Sequence, residues 1–210
     1  MIRIIIADDH PIVREGLKKV LEKNPDMTVA DEVSTGEELI NKARTNDYDV
    51  VLLDITMPGK GGLEILEQLK KEKPKLHILV LSIHPEEQYA IRVLKAGVSG
   101  YLSKDKAPYE LLEAIRKVAQ GGKYVSASLA EKLAFEIENG REKPLHENLS
   151  NREYQVMCLI ASGKTIKNIA DELSLSARTV STYRSRILDK MKMKSNAEIT
   201  HYAIKQGLVD

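Results

Sequence analysis

Five short apolar runs alternate with five amphipathic stretches in the first 122 residues, and this alternation limits the fold more than any other feature of the sequence. The amphipathic stretches are centred near residues 18, 40, 67, 91 and 114, and the apolar runs are IRIIIA (2–7), TVADEV (28–33), VVLLDI (50–55), ILVLS (78–82) and GYLS (100–103). Strands that are separated by helical crossovers form a parallel sheet with helices on both faces. The pattern therefore predicts a five-stranded, parallel, doubly wound α/β domain.

The strand pattern stops after Gly122, which predicts a change of architecture. The stretch SASLAEKLAFEIENG (126–140) is typical of one more helix, and GREKPLHEN (140–148) is typical of a charged connector. From Leu149 onward the periodicity predicts only helices, near residues 150–161, 165–173, 177–192 and 196–206. We predict an α/β domain over 1–122, a linker with one helix over 123–148, and a small all-α four-helix domain over 149–210.

Composition and the first residues restrict where the protein works. With 42% hydrophobic and 30% charged residues, the chain has an ordinary globular composition. Its apolar runs are far shorter than the roughly 20 residues that span a bilayer, and MIRIIIADDH reaches acidic residues too early for a secretory signal. We expect a cytoplasmic protein that does not enter the membrane. The single cysteine, Cys158, lies in an apolar helical pattern and is expected to be a buried, unreactive thiol.

Three acidic residues come at the ends of two predicted strands. Asp8 and Asp9 follow the first strand, and Asp54 lies at the end of the third. Ligands of open parallel sheets bind beyond the carboxyl ends of the strands, so the three carboxylates are expected to meet at one rim. Like charges at short distance raise one another's pKa, and a hard divalent cation with oxygen ligands removes the conflict. The pattern predicts a Mg²⁺ site, although each acid alone could instead cap the helix that follows it.

Two further polar residues are expected at the same rim. Ser82 lies at the end of the fourth strand, and Lys104 follows the fifth. A phosphoryl group on Asp54 would need a hydroxyl to donate a hydrogen bond and an ammonium to supply positive charge. The residues of the rim together predict an aspartyl phosphate at Asp54.

Residues 1 to about 122 resemble the receiver domain of two-component response regulators, which has a flavodoxin-like fold. The resemblance rests on ADDH (7–10), LLDITMPGKGGLE (52–64), VLSIH (80–84) and GYLSK (100–104). It implies that a sensor histidine kinase phosphorylates Asp54 and that phosphorylation switches the rest of the chain.

The same resemblance implies a role for each polar residue of the rim. The implied roles are Mg²⁺ binding by Asp8, Asp9, Asp54 and the backbone carbonyl of Thr56, and phosphoryl binding by Ser82 and Lys104. Tyr101 matches the aromatic switch of the family. We expect movement of Ser82 towards the phosphoryl group to let the Tyr101 ring rotate inward and change the surface formed by the fourth and fifth helices.

Two short helices with a tight turn are predicted within TIKNIADELSLSARTVSTYRSRILDKM (165–191). One face of the second helix is apolar, and the opposite face carries basic and hydrogen-bonding side chains, namely Arg178, Ser181, Thr182, Ser185 and Arg186. Small polar residues let a helix enter the major groove while arginines reach bases or phosphates. The pattern predicts DNA binding. The alternative is a plain amphipathic surface helix, which would more often mix Glu and Lys.

Residues 149–209 resemble the LuxR-type helix-turn-helix module, through LSNREYQVMCLIASGKT, IADELSLSARTVSTYRSRILDKM and NAEITHYAIKQGL. The whole chain is therefore similar to the NarL/FixJ subfamily of response regulators. The resemblance implies a recognition helix over 178–190, with Lys167 near the DNA backbone and DNA-contact positions at Ser181, Thr182, Arg184 and Ser185. It also implies that the last helix, about 196–206, makes a dimer contact.

We expect a transcriptional regulator that binds promoter half-sites in double-stranded DNA as a homodimer when phosphorylated, and whose only catalysis is its own phosphorylation and dephosphorylation. Two alternatives stay open. A Mg²⁺-dependent phosphohydrolase with Asp54 as nucleophile would need a second acid two residues later, where Thr56 stands. A DNA-binding protein whose receiver serves only for dimerisation would bind DNA equally well with and without a phosphodonor.

Overall fold

The computed structural model describes residues 1–57, 62–84, 86–127, 129–131, 134 and 144–209. The chain folds as two compact units, Met1–Ala130 and Glu131–Asp210. The division between them falls inside the predicted linker, 123–148. The limits predicted for the three parts of the chain stay predictions.

A five-stranded parallel sheet forms the centre of the first unit, as predicted. Its strands are β1 (Ile2–Ala7), β2 (Met27–Val33), β3 (Val50–Asp54), β4 (His77–Ser82) and β5 (Gly100–Ser103). Their spatial order is β2-β1-β3-β4-β5, and neighbouring strands pair in parallel. The winding direction reverses between β1 and β3, so a ligand is expected to bind beyond the carboxyl ends of these two strands.

Within the described part of the first unit, five helices accompany the sheet. They are α1 (Pro11–Leu21), α2 (Gly36–Thr45), α3 (Gly62–Glu72), α4 (Glu86–Lys95) and α5 (Ala107–Ala119). Local sequence explains where two of them begin. Pro11 opens α1 at a position where no intrahelical donor is lost, and the Thr35 hydroxyl caps α2 by accepting a hydrogen bond from the Glu38 N–H at 3.2 Å.

The central strands are buried on both faces. Ile4, Ile5, Val50, Val51 and Leu53 are each 0% exposed. A strand that is covered by helices on both faces needs apolar side chains at successive positions rather than at alternate ones, and β1 and β3 supply them. The core thus holds the carboxyl ends of β1 and β3, and with them the acidic residues, in fixed positions.

The second unit is helical, in agreement with the predicted four-helix domain. A short 3₁₀ helix (Leu145–Asn148) precedes α6 (Asn151–Ala161), α7 (Ile166–Glu172), α8 (Ala177–Met191) and α9 (Asn196–Lys205). Each of these α-helices has an N-cap hydroxyl that accepts a hydrogen bond from the backbone N–H three residues on, and the N-caps are Ser150, Thr165, Ser176 and Ser195. Between α7 and α8, Ser174 has a φ of 52°, and this left-handed conformation lets the chain turn tightly.

The linker helix predicted over 126–140 lies mostly outside the described residues. Within that range, residues 127, 129–131 and 134 are described and are helical. Cys158 is buried in α6, as predicted. Among the described ranges, none of the helices is both long and apolar enough to cross a membrane.

Two glycines of the first unit offer a matched test of packing. A Cβ on Gly62, at the start of α3, would lie 2.4 Å from the Ile55 Cα and 2.5 Å from the Ile55 carbonyl oxygen, whereas a Cβ on Gly16, in α1, would meet nothing within 4 Å. We expect Gly62→Ala to lower the free energy of unfolding by about 1–3 kcal/mol, and Gly16→Ala to raise it by about 0.5–1 kcal/mol. Urea denaturation followed by circular dichroism measures both, and equal effects would contradict this account of α3.

Candidate functional sites

Three carboxylates and one imidazole meet at the rim of the sheet. Asp8 and Asp54, at the ends of β1 and β3, are each 1% exposed, and Asp9 is partly buried. Ligand atoms of Asp8, Asp9, His10 and Asp54 all lie within 4.8 Å of one another. The structure brings together the three acids that the strand ends predicted. It adds His10, whose sequence spacing gave no sign of a metal ligand.

Lys104 supplies positive charge to this acidic cluster. Its Nζ atom lies 2.6 Å from Asp8 Oδ2 and 2.6 Å from Asp54 Oδ2. Burial lowers the pKa of Lys104, but the hydrogen bonds to Asp54 and Asp8 outweigh burial and raise the pKa above its usual 10.5. The ammonium therefore keeps its charge. Three carboxylates against one ammonium leave a formal charge of −3 + 1 = −2 at the rim.

The acidic cluster fits a hard divalent cation. Asp9 Oδ1 is a buried oxygen that accepts no hydrogen bond from the described residues. His10 Nδ1 lies 3.0 Å from this oxygen, but not in hydrogen-bond geometry. A buried oxygen without a donor is costly, and a cation with oxygen ligands would satisfy it while neutralising the excess negative charge.

Asp54 is held in place through both of its carboxylate oxygens. Lys104 contacts Oδ2, and Thr56 donates two hydrogen bonds to Oδ1, from its backbone N–H at 2.7 Å and from its hydroxyl at 2.6 Å. Sequence reasoning proposed only the backbone carbonyl of Thr56, as a metal ligand, and that role stays a prediction. The hydroxyl contact depends on the course of the turn after β3, which the sequence pattern did not specify.

The other rim residues are joined through the backbone of His84. Ser82 is 0% exposed, and its Oγ accepts a hydrogen bond from the His84 N–H at 3.0 Å. Tyr101 is also 0% exposed, and its hydroxyl donates to the His84 carbonyl oxygen at 2.8 Å. The ring of Tyr101 is thus in the inward position, and the predicted inward rotation stays a prediction. Because His84 makes both hydrogen bonds with backbone atoms, its residue type could not reveal this link.

The predicted DNA-binding residues lie on α7 and α8, and all but one of them are exposed. The exposed residues are Lys167, Arg178, Ser181, Thr182, Ser185 and Arg186. Arg184 differs, because it is half-buried and its Nε donates to Asn196 Oδ1 at 2.6 Å. The hydroxyls of Thr182 and Ser185 donate to carbonyl oxygens one turn back in α8, at 3.0 Å and 3.1 Å, so the helix itself orients them.

An ion pair between buried Glu153 and partly exposed Lys190 holds the end of α8 against α6. Glu153 is 2% exposed and accepts hydrogen bonds from the Lys190 ammonium at 2.6 Å and from the Ser150 N–H at 2.7 Å. Burial raises the pKa of Glu153, but these hydrogen bonds outweigh burial, and the net pKa is lowered below 4.5. Arg152 also crosses to the end of α7, donating to the Leu173 carbonyl oxygen at 2.9 Å. These contacts of Glu153 and Arg152 were not predicted from the sequence, although the Ser150–Glu153 capping box is a recognisable motif for the start of α6.

Known families match both parts of the chain. Residues 4–116 match the family described as response regulator receiver domain, and residues 147–203 match the family described as bacterial regulatory proteins, luxR family. The response regulator UvrY of Escherichia coli is 38% identical over 209 residues, which cover 99% of this chain and 96% of UvrY. The response regulator GacA of Pseudomonas protegens is 36% identical over 210 residues, which cover 100% of this chain and 99% of GacA.

Solved structures of response regulators are similar as well. A structure of the Salmonella typhimurium RcsB response regulator has a TM-score of 0.71 at 29% identity, over 98% of each chain. RcsB from Salmonella enterica serovar Typhimurium, bound to promoter rprA in the presence of the phosphomimetic BeF₃⁻, has a TM-score of 0.66 at 28% identity, over 96% of this chain and 97% of that one.

The fold, the acidic rim and these similarities define a response regulator, in which a receiver domain is followed by a LuxR-type DNA-binding domain. This chain belongs to the NarL/FixJ family of response regulators, whose members are phosphorylation-activated regulators of transcription.

The Glu153–Lys190 pair should make the second unit sensitive to acid. A carboxylate whose pKa is lowered by folding stabilises the folded state above its unfolded pKa, near 4.5, and loses this effect as pH falls through the folded value. We expect Glu153→Gln to reduce the protection of the α6 amides from hydrogen exchange by about 1–3 kcal/mol at neutral pH. The difference from wild type should shrink as pH falls below 4.5.

The matched control for this prediction is Glu172→Gln. Glu172 pairs with Lys164 at 2.5 Å, but both side chains are about two-fifths exposed, and such surface pairs contribute little. Equal losses of protection in the two variants would show that burial of Glu153 adds nothing.

Proposed function

We propose that Asp54 accepts a phosphoryl group from a sensor histidine kinase with the help of Mg²⁺, and that this modification switches DNA binding by the C-terminal domain. The observation that carries the proposal is the environment of Asp54. Its carboxylate is buried at the end of β3, lies 2.6 Å from the Lys104 ammonium, and has two further carboxylates beside it. A nucleophilic carboxylate next to fixed positive charge suits phosphoryl transfer, which depends on positioning and on electrostatic stabilisation.

Each group at the rim has a part in this transfer. A carboxylate oxygen of Asp54 attacks the phosphorus of the kinase phosphohistidine, so that an O–P bond forms and the P–N bond breaks, with its electron pair left on the imidazole. Lys104 supplies positive charge to the transferred oxygens, and Ser82 offers them a hydroxyl. The residues proposed to hold Mg²⁺, which would supply further positive charge there, are Asp8, Asp9, Asp54 and the backbone carbonyl of Thr56.

The response inside the receiver follows from competition for two side chains. Lys104 contacts Asp8 and Asp54, and Ser82 accepts the hydrogen bond of the His84 N–H. Phosphoryl oxygens on Asp54 compete for both side chains, because they are strong acceptors with added negative charge. Turning a switch from mostly off to mostly on requires a differential of about 5 kcal/mol, which a few charge-assisted hydrogen bonds supply. Tyr101 shares His84 with Ser82, so its inward position is proposed to follow the state of Ser82.

DNA binding is proposed for the exposed side of α8. Arg178 and Arg186 would reach phosphates or base edges, and the small hydroxyl residues between them would let the helix enter the major groove. RcsB, a similar protein of known structure, has been solved as a complex with DNA and as two dimers bound to two parallel DNAs. By similarity, we propose that this chain binds promoter half-sites as a dimer when phosphorylated. Ile204 on α9 is 54% exposed and supports a dimer contact by that helix.

The chain is further proposed to act in the cytoplasm, where a regulator of bacterial transcription meets DNA, and to catalyse only its own phosphorylation and dephosphorylation. A separate phosphohydrolase activity is disfavoured because the residue two positions after Asp54 is Thr56, whose hydroxyl donates to Asp54 rather than offering a second acid.

Removal of the acceptor should abolish phosphorylation. We expect Asp54→Ala to incorporate no phosphate from acetyl phosphate in the presence of Mg²⁺, because no carboxylate oxygen remains at that position to attack the phosphorus. Intact-mass spectrometry measures the incorporation. The matched control is Asp47→Ala, which removes a carboxylate whose side chain is 102% exposed and should leave labelling at the wild-type level. Full labelling of Asp54→Ala would refute the acceptor assignment.

The same variants test the switch as a whole. Acetyl phosphate with Mg²⁺ should tighten DNA binding by the wild-type chain and by Asp47→Ala, and should leave Asp54→Ala unchanged. Equal DNA affinity of the wild-type chain in both conditions would favour the alternative in which the receiver serves only for dimerisation.

Loss of a recognition-helix arginine should reduce the salt dependence of DNA binding. Each phosphate contact contributes a slope of about −0.9 to log K against log salt, so we expect Arg186→Ala to make the slope shallower by about that amount for each bound protomer. Fluorescence polarisation of a labelled duplex over a salt series measures the slope. Lys19→Ala, which removes a 70% exposed cation from the receiver, is the control and should leave the slope unchanged. A wild-type slope in Arg186→Ala would remove this residue from the phosphate contacts.

A further inference from the structure

The first unit ends in a short segment that lies against the edge of the sheet. We name residues 123–130 the exit segment, of which residue 128 is outside the described part of the chain. The Tyr124 N–H donates to the Ser99 carbonyl oxygen at 2.9 Å, and the Tyr124 carbonyl oxygen accepts a hydrogen bond from the Tyr101 N–H at 3.2 Å. These bonds form a parallel bridge beside Gly100 on the edge strand β5. The exit segment therefore contacts the strand that carries Tyr101.

Glycine at position 100 permits this close approach. A Cβ at Gly100 would lie 2.7 Å from the Tyr124 carbonyl oxygen and 2.9 Å from the Tyr124 Cβ. Any larger residue would push the exit segment away from β5. The contact is thus a specific feature of this sheet edge.

Two hydroxyl groups fasten the exit segment to two different helices. The Tyr124 hydroxyl donates to Glu110 Oε2, on α5, at 2.6 Å. The Ser126 hydroxyl donates to Glu86 Oε2, on α4, and also accepts a hydrogen bond from the Leu129 N–H at 3.2 Å. Leu129 is 2% exposed. Ser126 therefore connects α4 to Leu129, a buried residue of the exit segment.

Glu86 lies at the end of the 82–86 loop, of which residue 85 is outside the described part of the chain. It is the first residue of α4 and is 6% exposed. Two residues earlier, His84 donates its N–H to Ser82 and accepts the Tyr101 hydroxyl. Only three residues separate Ser82 from Glu86 in the sequence. A buried carboxylate that shifts must keep its hydrogen-bond donors with it, because a buried acceptor without a donor is costly.

We propose that the Glu86–Ser126 hydrogen bond carries the phosphorylation signal from the 82–86 loop to the exit segment, which makes Glu86 and Ser126 positioning residues for the output. This inference rests on the proposed function, because phosphorylation of Asp54 is its input. When the Ser82 hydroxyl turns to a phosphoryl oxygen, the His84 N–H loses its acceptor and the loop adjusts. Glu86 moves with the loop. Because the Ser126 hydroxyl is hydrogen-bonded to Glu86, Ser126 and the start of the linker move as well.

The test compares Ser126→Ala with Tyr124→Phe in the full chain. Each variant removes one hydroxyl group from the exit segment, but only Ser126→Ala breaks the link to Glu86. The readout is the ratio of DNA affinities with and without acetyl phosphate and Mg²⁺, on a duplex selected from random sequence by the phosphorylated wild-type protein. Coupled sites typically change affinity by about 5- to 150-fold. We expect Tyr124→Phe to keep the wild-type ratio and Ser126→Ala to lose most of it.

Labelling by acetyl phosphate separates failure of this inference from failure of the proposed function. Ser126→Ala should label as fast as wild type, which shows a folded receiver with an intact acceptor. If the wild type labels and responds on DNA while Ser126→Ala responds equally, the inference is overturned and the proposed function stands. Loss of the response in both variants would also overturn it, since any loosening of the exit segment would then suffice. A wild-type chain that neither labels nor responds would overturn the proposed function itself.

Hydrogen exchange of the wild-type chain gives a second check that needs no variant. The Leu129 N–H donates to the Ser126 hydroxyl, so its exchange rate should change when acetyl phosphate and Mg²⁺ are added. An unchanged rate in a fully labelled protein would refute movement of Ser126.

Discussion

One ammonium group between two buried carboxylates organises the receiver rim. Lys104 Nζ lies 2.6 Å from an oxygen of Asp8 and 2.6 Å from an oxygen of Asp54. Removal of one partner from such a buried pair typically costs about 3–5 kcal/mol, because the remaining charge is left without compensation. The three residues come from the end of β1, the end of β3 and the loop after β5, so the contact exists only when the strand order is complete. The site is therefore a property of the whole sheet rather than of any local motif.

The same contact explains why the rim can respond to modification. Lys104 stays charged, because its hydrogen bonds to Asp54 and Asp8 raise its pKa in spite of burial. Its position is thus decided by which acceptors lie within reach and not by its own titration. Ser82 is in a comparable situation, since its oxygen satisfies the His84 N–H. New acceptors on Asp54 would draw on both groups at once, and each displaced hydrogen bond must be remade elsewhere.

The sequence could predict the features that follow from hydrophobic periodicity and from the order of strands along the chain. It could not predict the features that follow from tertiary contacts. The unbroken apolar run before Asp54 required a strand buried on both faces, and β3 is such a strand. Chain order also predicts Asp8 and Asp9 at the same rim, because parallel strands end at one edge of the sheet. In contrast, the hydrogen bond between Arg184 and Asn196 depends on how α8 and α9 pack. This bond occupies the Nε of Arg184, a residue that the family resemblance assigns to DNA contact.

The backbone of His84 is a further example of what sequence patterns cannot reveal. Its N–H and carbonyl oxygen join Ser82 to Tyr101, and any residue other than proline offers the same two groups. Glu153 is the opposite case, because Ser150 three residues before it is a capping-box signature that marks the start of α6. A carboxylate fixed there by the cap is available to pair with a lysine from α8, and that pairing still had to be seen in the structure.

Charge alone could not carry a signal away from the proposed phosphorylation site, Asp54. A phosphoryl group replaces the single negative charge of the carboxylate with about −1.5 to −2, so the net change at the rim is at most about one charge. Such a change is largely screened beyond about 8 Å at physiological ionic strength, and the phosphates of DNA present a far larger field to the recognition helix. The receiver must therefore act by moving hydrogen-bonded groups. The groups in position to move are Ser82, His84 and Glu86, which lie within the 82–86 loop and contact both Tyr101 and the exit segment. Substitutions at Glu86 should adjust the strength of the response while leaving the acceptor and the DNA-binding face unchanged.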